Sequence, residues 1–170
     1  MSPVTSPGGS KIGSAIEELH RAENNLAAKF FKLSDRHKAD HEIYYGARDL
    51  AHWSQEHVRR LARLGGDHGV QLNPEPENES DILALLRQKG SELMGRREAP
   101  GLLLLRDLRE LHRETAGVSL DWEVLAQTAQ ALKDPAALTV ASQCHPQTLR
   151  QLRWSNAMVK QLSPQVMASP

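Results

Sequence analysis

The chain has 170 residues, a length typical of one domain. Apolar residues make up 39% and charged residues 25% of it, with 21 Lys and Arg against 21 Asp and Glu. This balance excludes an intrinsically disordered chain and gives no electrostatic case for a nucleic-acid partner. The sequence lacks an apolar run that could cross a bilayer and a secretory signal, and its single cysteine excludes an intramolecular disulfide. We therefore expect a soluble, cytoplasmic domain without nucleic-acid or membrane association.

The first predicted helix covers residues 11–34 and follows a tail, residues 1–10, whose Ser, Pro and Gly content predicts disorder. Ser10 or Ser14 could cap the start of this helix. Its inward positions alternate in spacing between four and three residues, as in a helix that packs into a bundle. These positions are Ile12, Ile16, Leu19, Glu23, Leu26, Phe30 and Leu33.

The second predicted helix covers residues 36–64 and ends at Gly65 and Gly66, which favour a helix C-terminus. It shows the same alternation of spacings. Its inward positions are Ile43, Ala47, Leu50, Ser54, His57, Leu61 and Leu64. The short connection between these two long helices requires them to lie antiparallel.

Residues 66–98 interrupt the helical pattern, and we interpret them as a long crossover within one domain. The sequence Asn-Pro-Glu-Pro at 73–76 favours extended backbone. A short helix is expected to follow, from Ser80 or Asp81 to about Leu93. Its inward side chains are expected to be Ile82, Leu85, Leu86 and Leu93.

The third predicted helix covers residues 100–132 and begins with Pro100 in a favoured first-turn position. Its inward positions are Leu104, Leu108, Leu111, Thr115, Val118, Trp122, Leu125, Ala129 and Leu132. Gly117 lies within it at a cost of about 1 kcal/mol relative to alanine. The spacing continues through Gly117, so one helix is expected. The run Leu102–Leu105 covers more than one face and predicts burial by the crossover or by a second subunit.

The fourth predicted helix covers residues 135–162, and residues 164–170 form a C-terminal tail. Its inward positions are Leu138, Ser142, His145, Leu149, Leu152, Asn156 and Val159. Pro146 predicts a kink or a new helical start, and Ser163 and Pro164 end the pattern. No segment shows the sustained alternation of a β-strand, so the predicted fold class is all-α.

Two long helices, a crossover of about thirty residues and two further long helices resemble the layout of the ferritin-like superfamily. The resemblance covers residues 11–163 and implies an antiparallel four-helix bundle with the crossover between its second and third helices. Family members with a di-iron centre carry a Glu on the first helix and Glu-x-x-His on the second, and they repeat that set on the second pair of helices.

The first half of the chain matches this ligand set in part. Glu23 fits the first-helix ligand and lies among apolar inward positions, where an unpaired carboxylate would cost several kcal/mol. His57 is an inward residue of the second helix, but Ser54 stands where the motif has Glu. Two alternatives remain on this helix. One is the sequence Asp49-Leu-Ala-His52, which has the motif spacing on a neighbouring face, and the other is the carboxylate of Glu56.

The second half departs from the motif. Thr115 stands where the third helix would need Glu, and no Asp or Glu follows Asp134, which excludes a symmetric six-ligand di-iron site. A non-standard site for iron, manganese or zinc therefore competes with a buried Glu23–His57 hydrogen-bonded pair that fixes the register of the helices. The candidate metal ligands are Glu23, His57, His52, Glu56 and His145.

Three kinds of function are compatible with these observations. The leading hypothesis is a ferritin-like protein without a standard di-iron centre that serves as a binding, scaffold or stress-associated protein. The alternative is a metal-binding protein or a metal-dependent oxidase with an asymmetric Glu and His site. A third is an interaction module that holds a small molecule or a partner helix in a groove. A homodimer through a helix face that covers part of Leu102–Leu105 is also expected.

Overall fold

The structure, a computed structural model, describes residues 9–92 and 99–170. In these two ranges the protein is all-helical, which confirms the predicted fold class. The helices are α1 (Lys11–Arg36), α2 (His41–Asp67), α3 (Glu79–Glu92), α4 (Pro100–Ala131) and α5 (Pro135–Met167). None of these helices combines the length and the apolar character that a membrane span requires. Most of the predicted disordered tail and the end of the predicted crossover lie outside the described residues.

The four long helices contact one another in a ring, in which α1 lies between α2 and α4 and α5 contacts both α2 and α4. Glu23 on α1 lies beside Trp122 on α4, and Arg36 lies beside Asp107. Residue numbers therefore rise along α1 as they fall along α4, so these helices are antiparallel. Hydrogen bonds between α2 and α5 make that pair antiparallel by the same argument.

Three helices begin with a side chain that accepts a hydrogen bond from their first turn. Ser10 caps α1, Asp40 caps α2 and Asp134 caps α5, each accepting from the backbone N–H three residues later at 3.0–3.2 Å. The cap at Asp40 corrects the predicted boundary at residue 36, because α1 continues to Arg36 and α2 begins after this cap.

The C-terminus of α2 lies beyond the predicted one. The helix continues through Gly65 and Gly66 to Asp67, so the prediction that these glycines end it is wrong. Gly69 then adopts a left-handed conformation with φ of +72°. In this turn the Val70 N–H donates to the Gly65 carbonyl at 2.9 Å. A residue that tolerates positive φ at this point determines where the helix ends.

The crossover packs on the outside of α1 and α2. Arg48 on α2 forms an ion pair with Glu79 at the start of α3. α3 packs against α1 and buries Ile82. The expectation that Leu85 faces inward is wrong, since its side chain is 52% exposed. Apart from the ion pair between Arg48 and Glu79, α3 packs against α1 alone among the described helices. Leu93 lies outside the described residues.

The predicted inward positions of α1 and α2 are all buried. Those of α4 are buried as well except Leu132, which follows the last residue of the helix and is 60% exposed. α4 is continuous through Gly117, as predicted. In the Leu102–Leu105 run, the last two leucines are buried within this chain and Leu102 is 47% exposed.

The buried face of α5 differs from the predicted one by one residue. It consists of Ala137, Ala141, Cys144, Thr148, Gln151, Ser155 and Met158. Small side chains on this face let α5 approach its neighbours, and the predicted leucines lie at its edge, where Leu149 is 38% exposed. Pro146 starts no new helix, since α5 continues through it. The carbonyl that loses its helical partner there belongs to Ser142, which is an exposed residue. The predicted end at 163–164 is also wrong, since α5 continues to Met167.

Candidate functional site

A carboxylate and an imidazole meet in the interior, where α1 faces α2. Glu23 and His57 are each 0% exposed. The Nδ1 atom of His57 lies 3.0 Å from Oε1 of Glu23. The predicted approach of these two side chains is therefore confirmed, and their role as metal ligands stays a prediction.

The helices α4 and α5 each add one side chain to this pair. Trp122 donates its indole Nε1–H to Glu23 Oε1 at 2.8 Å, and its ring lies edge-on to the ring of His57 with centroids 5.7 Å apart. Gln147 places its Oε1 2.7 Å from His57 Nε2. We call Glu23, His57, Trp122 and Gln147 the interior network. Because each residue comes from a different helix, the network connects all four helices of the ring.

Both ring nitrogens of His57 face oxygen atoms, one of Glu23 and one of Gln147. A carboxylate or amide oxygen can only accept, so this arrangement favours a proton on each nitrogen. Burial lowers the pKa of His57, but attraction to Glu23 and hydrogen bonds to Glu23 and Gln147 outweigh it, so the pKa lies above its ordinary value of 6.5. The contacts with Glu23 and Gln147 therefore favour the charged, imidazolium form of His57 in the network.

The other two candidate ligands on α2 lie outside this network. His52 is exposed, and its ring meets that of Phe31 edge-on with centroids 5.7 Å apart. Glu56 is half-buried and forms ion pairs with Arg59 and Arg60 on its own helix, at 3.3 and 3.5 Å. The structure thus brings neither residue to Glu23.

The candidate ligand on α5 faces α4. His145 places Nε2 3.0 Å from Ser119 Oγ and Nδ1 3.7 Å from a carboxylate oxygen of Glu123. The expectation that His145 faces inward is wrong, because Cys144 occupies the buried position beside it. Burial raises the pKa of the Cys144 thiol to about 12, which keeps it protonated and weakly reactive at neutral pH.

The donor set does not fit a standard metal centre. Residues 9–92 and 99–170 contain no group of three or more His, Cys, Asp and Glu side chains that could hold a metal ion. Iron, manganese and zinc centres in proteins are built from several such ligands. In the interior network, both nitrogens of His57 already donate to oxygens, and Glu23 Oε1 accepts two hydrogen bonds.

Sequence reasoning missed the polar side chains that α5 contributes to the interior. Gln147 is half-buried at the edge of the observed buried face and belongs to no ligand motif. Gln151 is 0% exposed and donates to Ser54 Oγ and to the α2 backbone, each at 2.9 Å. The available signal was the spacing of Thr148, Gln151 and Ser155, which follow one another at intervals of three and four residues and share one helix face.

No protein-family model matches the chain, and no curated protein or solved structure matches it either. The assignment of a function therefore depends on the arrangement of the helices and on the interior network. Both features can be tested by experiment on this chain alone.

Proposed function

We propose that this protein is a ferritin-like four-helix bundle that serves as a binding or scaffold protein without a standard di-metal centre. The order of the elements supports this proposal, since two pairs of long helices flank a crossover that contains α3. α2 and α4 are each antiparallel to α1, so they run in the same direction. A connection between two parallel helices must return along the length of the bundle, which explains the long crossover.

The interior network is the observation that carries this proposal. His57 donates to Glu23 at 3.0 Å and to Gln147 at 2.7 Å, so a metal could bind its ring only after breaking one of these bonds. Removing either partner of a buried ion pair is strongly destabilising, and such pairs can specify one arrangement of helices. The network therefore acts as a register-fixing contact, which suits a protein that presents a constant surface to a partner.

The test is the metal content of protein purified without an affinity tag, together with its oxidation of ferrous iron in air. We expect substoichiometric metal and an oxidation rate equal to that of buffer alone. Glu23→Ala provides the comparison, since its trace metal content should equal that of the wild type. Two irons per chain with oxygen-dependent oxidation would overturn the proposal.

One observation favours metal binding at an asymmetric site as a second candidate function. Glu23 Oε2 is buried and has no hydrogen-bond partner among the described residues. Carboxylate oxygens bind divalent cations. Cobalt titration followed by visible spectroscopy would compare the wild type with Glu23→Ala and with Glu17→Ala, a control at an exposed carboxylate of α1. Binding lost only in Glu23→Ala would support this function, and equal, weak binding in all three proteins would exclude it.

A further inference from the structure

Three buried polar atoms on α1 and α5 have no hydrogen-bond partner among residues 9–92 and 99–170. They are Glu23 Oε2, Thr148 Oγ1 and Gln151 Oε1. All three side chains are 0% exposed. An unsatisfied buried polar atom is unfavourable, and native proteins leave few of them without a partner. Three such atoms indicate a group that completes their hydrogen bonds.

The three atoms belong to neighbouring levels of the helix ring. His57 contacts both Glu23 and Gln147, which places Glu23 at the level of the α5 turn that begins at Gln147. Thr148 and Gln151 are the buried residues of that turn. The four-residue step from Gln147 to Gln151 spans about 6 Å along the helix axis. Small occupants bound at these two neighbouring levels can therefore serve the three atoms.

The hydrogen-bonding capacity of the three atoms defines the chemistry of the missing group. Glu23 Oε2 is a carboxylate oxygen, which accepts. Gln151 Oε1 also accepts, because the same amide already donates its Nε2 hydrogens to the Leu50 carbonyl and to Ser54 Oγ, each at 2.9 Å. The Thr148 hydroxyl has a proton to donate. The missing group must therefore offer two donors and at least one acceptor.

Water is the smallest molecule with this pattern. Water is neutral, so it adds no further charge to an interior where Glu23 already faces His57. A buried water molecule typically makes about three hydrogen bonds. We propose that ordered water binds between α1 and α5, donates to Glu23 Oε2 and Gln151 Oε1, and accepts a hydrogen bond from the Thr148 hydroxyl.

This water connects the interior network to the polar residues of α5. Gln151 already reaches Ser54 on α2, and Trp122 on α4 already reaches Glu23. With the water in place, a second hydrogen-bonded path joins α4 to α2, through Glu23, Gln151 and Ser54. The proposal depends on the three unpartnered atoms and not on a scaffold function, so either can fail without the other.

Two threonines allow a matched test by substitution with valine, which keeps the shape and removes the hydroxyl. Thr115 is the control, because it is also 0% exposed and its hydroxyl donates to the Leu111 carbonyl at 2.8 Å. If water accepts from Thr148, Thr148→Val removes a hydrogen bond and should lower the folding equilibrium constant about tenfold. The Thr115 hydroxyl bonds back to a carbonyl of its own helix that keeps its backbone N–H partner, and such bonds add little to stability, so Thr115→Val should change the constant by no more than about twofold.

The sign of the stability change in Thr148→Val decides whether the Thr148 hydroxyl donates to water or is buried without a partner. If the Thr148 hydroxyl is buried without a partner, removing it relieves an unfavourable desolvation, and Thr148→Val should be more stable than the wild type. A stability of Thr148→Val equal to or above that of the wild type in urea unfolding would therefore overturn the proposal.

A second measurement needs no substitution. In wild-type protein with methyl-labelled threonine, we expect a nuclear Overhauser effect between water and the Thr148 methyl group, with the sign of a water molecule bound longer than the tumbling time. The Thr115 methyl should show none. A resolved Thr148 methyl signal without this cross-peak would overturn the proposal, whether or not the valine variants fold.

Discussion

Replacing Glu23 with glutamine keeps the shape of the side chain and removes the charge that faces His57. An imidazolium left at this 0% exposed position would be buried without its counter-ion, at a cost of about 3–5 kcal/mol. His57 reduces this cost by releasing its proton. Above the ordinary histidine pKa we therefore expect a smaller loss, about 1–3 kcal/mol, for the charge-assisted hydrogen bonds that disappear.

The loss of stability in Glu23→Gln depends on pH, and the direction of this dependence follows from the pKa of His57. In the wild type, burial lowers this pKa but Glu23 raises it by more. The pair therefore contributes its full stability below pH 6.5, the ordinary histidine pKa, and loses it as the pH rises through the raised pKa. In Glu23→Gln the effect of burial prevails and the pKa falls below the ordinary value, so the variant loses stability as the pH falls. As the pH falls from the raised pKa of the wild type to the lowered pKa of the variant, the difference in stability between the two proteins should widen by about 1.4 kcal/mol per pH unit.

Urea unfolding followed by circular dichroism, at about pH 8 and about pH 5.5 and at equal ionic strength, measures this difference. Comparing the wild type with the variant cancels the titration of the other histidines. Glu17→Gln, at an exposed carboxylate of the same helix, is the control and should change stability by less than about 0.5 kcal/mol. A Glu23→Gln difference that is the same at both pH values, or no larger than that of the control, would refute the reasoning.

Four further substitutions test other features of the fold. Lys133 has a φ of +55°, so Lys133→Gly should stabilise the protein by about 1 kcal/mol in urea unfolding. Gly69 has a φ of +72°, so Gly69→Ala should destabilise it by a similar amount. Changes of the opposite sign would contradict the need for a residue that tolerates positive φ in these turns. Asp134→Ala removes the α5 cap and the 2.5 Å contact with His68 and should cost about 1–2 kcal/mol near neutral pH. The backbone hydrogen bond of the cap lowers the pKa of Asp134, so this cost should persist on acidification and shrink only once the carboxyl protonates; a cost that disappears near pH 6 would argue against it. Leu102→Glu should convert the expected dimer into a monomer of 18.9 kDa in light scattering, and a monomeric wild type at micromolar concentration would argue against the dimer.

The spacing of large apolar residues determined which faces of α1, α2 and α4 are buried. Their predicted inward positions are buried, because a repeat of 3.6 residues leaves one face for the interior and large apolar side chains gain the most free energy there. The same spacing identified Glu23 and His57. A charged or polar side chain among buried apolar ones needs a partner, and these two lie on neighbouring antiparallel helices.

Only the tertiary structure decided which face of α5 is buried. The leucines of α5 favour a face one residue away from the observed one, since hydrophobicity alone ignores the surface that the helix meets. Gly46 on α2 leaves room for Trp154, because a Cβ there would lie 3.1 Å from the indole ring. Gln151 finds hydrogen-bond partners on the same helix, at Ser54 and the α2 backbone. The rotation of α5 thus depends on the shape and the polar groups of α2, which the α5 sequence does not contain.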